Sequence, residues 1–116
     1  MLRASAAQQG IEINLKGVVD RSVALGVEHA DVLLDFADAV TGDDVNKLAL
    51  ARDSIVSKFD DSVLAEAAAI AGNYMMNDVA ANSIGIPLES MFVSDSEQYR
   101  DELGLNDYPS ARNTLG

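Results

Sequence analysis

A chain of 116 residues with 48% hydrophobic and 23% charged residues favours one folded domain over two, and over a disordered segment. Its 8 basic and 19 acidic residues give a formal charge of −11, which excludes ordinary electrostatic capture of nucleic acid and disfavours anionic membranes. Cysteine is absent, so disulfides, thiolate metal sites and thiol nucleophiles are excluded together.

Met1 to Gly10 lacks the apolar run of a signal peptide, and no segment approaches ~18 consecutive apolar residues, so the expected location is the cytoplasm. The first predicted helix runs from about Ile11 to Leu25, where Ile11, Leu15, Val18, Ser22 and Leu25 recur at helical steps and Gly26 offers a left-handed stop. A second helix is expected from about Glu28 to Val40, with Leu33, Phe36, Ala37 and Val40 inward and Asp31, Asp35 and Asp38 in water. Thr41 and Asp44 have capping-box spacing ahead of a third helix to about Ser57, with Val45, Leu48, Ile55 and Val56 inward.

Phe59 precedes Asp60 and Asp61, either of which can cap a fourth helix from about Ser62 to Ser83. Its Ala-rich sequence lets neighbouring helices approach closely, which suits a central helix or a subunit contact. Gly85 and Pro87 end it. Ser94 and Glu97 predict a short fifth helix to about Leu103, and residues 104–116 read as a polar surface tail. With three Tyr, three Phe and no Trp, the core must be aliphatic. The expected fold is all-α, a single domain over 1–116 built as a small bundle of about five helices.

Positions 10 to 27 carry the most specific pattern: Gly10 leads it, Lys16-Gly17 lie inside it, and Ala24-Leu25-Gly26-Val27 close it. Downstream stand Leu33-Leu34-Asp35-Phe36-Ala37, and then Glu66-Ala67, Tyr74, Asn77 and Ala80 before Gly85-Ile86-Pro87-Leu88. This frame, covering roughly 10–88, resembles the alkylhydroperoxidase D / carboxymuconolactone decarboxylase family. The family writes Gly-Cys-x-x-Cys-x-x-x-His on its active-site helix, preceded by one or two helices where this chain has about ten residues. Laid on this chain, the cysteines fall on Ile11 and Asn14 and the histidine on Val18. The family often has an Arg after the Asn, where Asp78 stands here.

The resemblance implies an alkylhydroperoxidase D-like domain that assembles as a trimer or hexamer, with the redox chemistry removed. In the family a thiolate at a helix start attacks peroxide, the second thiol resolves the sulfenic acid, and histidine moves the proton. Ile11, Asn14 and Val18 can do none of this, so thiol peroxidase activity is excluded. No cofactor and no metal are expected. Asn14, Tyr74 and Asn77 are the residues expected to line a remnant pocket for a small molecule, with Asn73, Asn82 and Glu66 near it or at a subunit interface.

Two other classes stand beside the degenerate domain. A cysteine-independent lyase of the carboxymuconolactone decarboxylase kind needs an acid or base, and His29 or Glu66 are its candidates. A carrier module would use Asp60-Asp61-Ser62 as an attachment site like that of acyl carrier proteins, although helix capping explains Asp60 and Ser62 without an added arm. Asp31, Asp35, Asp38, Asp43 and Asp44 lack calcium-loop spacing and read as a solvated face. The acidic surface serves solubility, and surfaces of this kind also accompany salty habitats.

Overall fold

The computed structural model describes residues 2–113. It places helices α1 at Leu2–Gln8, α2 at Lys16–Val19, α3 at Ala30–Thr41, α4 at Val45–Lys58, α5 at Asp61–Ile84 and α6 at Ser90–Glu102. Two 3-10 turns follow, Leu105–Asp107 and Pro109–Asn113, and no strand occurs among the described residues. The fold is all-helical, with two compact units at residues 1–75 and 76–116.

The first unit is organised by α3 and α4, an antiparallel pair joined by Gly42–Asp44. Phe36 and Ala39 from α3 meet Ala51 and Ile55 from α4, and Ile55 is 0% exposed. Val32, Leu33, Val40, Leu48 and Phe59 rim this core, and the first turns of α5 close it with Val63, Leu64 and Ala67. The sequence pattern placed Ala37, Val45 and Val56 inward; all three are exposed, and Ala39 and Ala51 take the buried positions. Alanine allows close approach of the two helices, whereas a row of Val would hold them apart.

Capping residues fix where these helices start. Asp44 is the cap of α4 itself rather than the far end of a capping box: its Oδ1 accepts from the Asn46 and Lys47 amides at 3.0 and 3.1 Å. Asp60 does the same for α5, accepting from Ser62 N, Val63 N and the Ser62 hydroxyl. The hydroxyl of Ser62 first, and then the Val63 amide, hold the Asp60 carboxyl below its ordinary value. Because the folded value lies below the unfolded one, the stabilisation is complete near neutrality and is lost as pH falls below 3.8 and through the lowered value. Asp60→Ala is therefore expected to lower the melting midpoint at pH 7. The gap from wild type should close as thermal scans are taken down to about pH 3.

The predicted helix over Ile11–Leu25 does not form. Only Lys16–Val19 is helical, a further helix occupies Leu2–Gln8, and the rest is an irregular strap. Local bonds compete with the helical ladder here: Asn14 Oδ1 accepts from Lys16 N, and Asp20 Oδ1 accepts from both the amide and the hydroxyl of Ser22. Gly10 adopts φ 71, which breaks continuity with α1.

In the second unit, the end of α5 is closed as expected, with Gly85 at φ 65 and Ile86 N donating to Ala81 O. The α6 helix begins at Ser90, four residues before the Ser94 of the capping box, and it ends at Glu102, with Gly104 at φ 65 just beyond its Leu103 cap. The Arg100 guanidinium donates back to Val93 O and Ser96 Oγ, and Asn106 Nδ2 donates to Asp101 Oδ1. The predicted tail carries the two 3-10 turns; its residues 114–116 lie outside the described residues.

Candidate functional site

The strap between α1 and α3 encloses a cleft of about 550 Å³, lined by Gly17, Arg21, Glu28, His29, Asp31 and Asp35 among others. Two close backbone approaches shape it. Asn14 N donates to Leu25 O at 3.0 Å, drawing residues 11–15 alongside 23–27. A Cβ on Gly17 would sit 2.8 Å from Leu25 and Val23 backbone atoms, and one on Gly26 would sit 2.1 Å from Glu12 O. Both glycines are therefore required by packing, although the sequence pattern marked Gly26 only as a helix stop.

Arg21 reaches from the strap to α3, 2.5 Å from Asp38 Oδ2 and 3.6 Å from Asp35 Oδ1. Asp35 and Asp38 are as exposed as their helical spacing predicts, and both pair with Arg21 of the strap. Seventeen positions separate Arg21 from Asp38, so no local spacing announces the pair. Glu28, Asp31 and Asp35 outnumber Arg21 within the cleft, a field that disfavours anionic ligands.

His29 precedes α3 with φ 55 and ψ 27, and it is the only described residue other than glycine with positive φ. Its ring meets Phe59 edge to face, centroids 5.5 Å apart, and Nε2 lies 3.4 Å from Glu28 Oε1. Left-handed backbone costs a residue with a Cβ about 1–2 kcal/mol, which the ring contact helps to offset. His29→Gly is expected to be more stable than His29→Ala by about 1 kcal/mol in chemical denaturation, since both lose the ring and only glycine relieves the backbone.

The other candidates stand on several elements. Ile11 is exposed in the strap, Val18 is exposed on α2, and Asn14 spends its side-chain oxygen on Lys16 N. Because Ile11 and Asn14 are not on a helix, a dipole acting on those two positions has no structural basis here. Tyr74 and Asn77 are exposed on α5, as is Glu66, which has no hydrogen bond or ion pair to a described residue. The Ser62 hydroxyl donates to Asp60 at 2.6 Å. No group of three His, Asp or Glu converges on a metal position among the described residues, and no helix there is long and apolar enough to cross a membrane.

Among family models, curated proteins and solved structures, none matches this chain.

Proposed function

We propose that this chain is a catalytically degenerate, non-redox domain of the alkylhydroperoxidase D type, whose function is to assemble with copies of itself through α5. One observation carries assembly: the longest helix among the described residues has no buried residue. Ile70 is 61% exposed, Tyr74 64%, Val79 65% and Ile84 75%. Such a helix is at odds with water unless something covers it.

Charge selects the occupant. Residues 67–88 contain one charged side chain, Asp78, in a chain of charge −11. Copies that repel one another elsewhere meet least repulsion there, and a basic partner would find little on α5 to pair with.

The kind of assembly proposed, a trimer or hexamer, is what the resemblance implies. The strap over 10–27 departs from the family's helix. A small molecule would be accommodated in the cleft beside His29.

Sedimentation velocity at micromolar concentration tests assembly. The wild-type chain should run as an oligomer, and the pair Ile70→Asp and Val79→Asp should run as a folded monomer, since both side chains are exposed in the single chain. Added salt should tighten assembly by screening copies of equal charge over ~10 Å at 0.1 M. A stable wild-type monomer sinks the proposal.

A second reading, a cysteine-independent lyase, is favoured by the strained backbone of His29 inside a cleft. It requires that His29→Ala abolish a measured turnover; an unaffected rate removes it.

A further inference from the structure

We infer that Arg21 latches the strap over the cleft beside His29, and that the strap swings on His29 when the latch is undone. The latch lies wholly within residues 1–75 and is separate from assembly through α5.

The strap holds together without α3. Asn14 N donates to Leu25 O at 3.0 Å, Gly17 and Gly26 lie against the backbone of Leu25 and Glu12, and Asp20 binds Ser22. It carries α1 with it: Ile11 N donates to Ala6 O at 2.9 Å, and Ala6, Ile11, Ile13 and Val27 line a common cavity. Among the described residues, none before Val32 belongs to the α3–α4 core or to the side chains that rim it. The strap is therefore one body beside another, and the two share the cleft. Val23, Leu25 and Val27 line it from the strap, Leu34 and Asp35 from α3.

At the junction stands His29, φ 55. Hinges are residues at the ends of elements that absorb a change in backbone angles. A side chain on left-handed backbone is strained, so rotation at His29 releases strain.

Charge opposes that rotation. Within residues 11–28, Glu12, Asp20 and Glu28 outnumber Lys16 and Arg21, and α3 carries Asp31, Asp35 and Asp38 with no basic residue. Two acidic bodies repel. Arg21 turns their contact into attraction, 2.5 Å from Asp38 Oδ2 and 3.6 Å from Asp35 Oδ1. Among the described residues these are the only ion pairs between strap and α3. Exposed pairs are weak and salt weakens them further, so the strap is poised to open rather than locked.

The absence of native cysteine makes the test clean. Leu34→Cys puts a thiol on the α3 wall of the cleft, at a half-buried position. Ser57→Cys, exposed on α4, gives the rate of an open thiol. Both are labelled with N-ethylmaleimide, an uncharged probe, with and without Arg21→Gln. At about 0.01 M salt, where charges act over ~30 Å, Arg21→Gln should speed labelling of Leu34→Cys about three- to fivefold and leave Ser57→Cys unchanged. At about 1 M, where they act over ~3 Å, the two rates at Leu34→Cys should converge. Arg21→Lys, which keeps the charge, should stay slow. Equal rates at low salt, a difference indifferent to salt, or an Arg21→Lys as fast as Arg21→Gln overturns the latch and leaves assembly through α5 untouched.

Discussion

Ile55→Ala should lower the unfolding free energy by about 2–5 kcal/mol, with loss of structure throughout residues 1–75. Among the described residues Ile55 is the one large side chain with no exposure, and it is one of the four residues of the centre on which α3 and α4 close. Among the described residues only Ala6, Phe36, Ala39, Ala51 and Ile55 are buried hydrophobics, so few other contacts can compensate. Since domains hold about 5–15 kcal/mol in reserve, one cavity at this point removes a large fraction of it. Urea titrations at a single fixed protein concentration measure the change with mass action held constant. Ile55→Val should cost about 0.5–1.5 kcal/mol. A cost for Ile55→Ala below that of Ile55→Val would place the centre of the unit elsewhere.

Gly26→Ala has an effect of similar size through a different route. The backbone has φ +92, where a side chain is strained, and the new Cβ would lie 2.1 Å from Glu12 O and 3.3 Å from Glu12 C. Backbone strain and overpacking each cost about 1–3 kcal/mol, and a contact this short cannot be relieved by turning a side chain. Within the strap, residues 23–27 must detach from residues 11–15. The α3–α4 core does not include Gly26, so helicity from circular dichroism should fall little. Limited proteolysis should instead show faster cleavage within residues 11–27. Unchanged cleavage would contradict the close approach of Gly26 to Glu12.

What the sequence could show follows from the range of the forces involved. Caps act within a turn, so Asp60 marks the start of α5 and Gly85 with Pro87 its end, while the Thr41–Asp44 spacing announces α4 but sets its cap at Thr41, three residues before Asp44. Over the strap the helical spacing of Ile11, Leu15 and Val18 misleads. What overrides that spacing is partly non-local: Asn14 N binds Leu25 O, Gly17 lies on Leu25, and Arg21 binds Asp35 and Asp38. Periodicity carries no record of those partners. The α1 helix was missed because Leu2–Gln8 is too short and too Ala-rich to display a stripe.

The candidate site was legible in composition and not in arrangement. Loss of thiol chemistry follows from the absence of cysteine alone. His29 was visible as the sole histidine, but its left-handed backbone and its contact with Phe59 depend on how the strap enters α3. The Ala-rich run pointed to a helix that meets a neighbour. Only the fold separates its docked residues, Val63, Leu64 and Ala67, from the open ones beyond.

Hydrogen exchange followed by mass spectrometry, at protein concentrations spanning the assembly range, tests the role of α5 most directly. Peptides covering residues 67–84 should gain protection as concentration rises, while peptides from the α3–α4 core stay unchanged. Exchange along α5 that is fast and independent of concentration would mean that no second copy covers this helix.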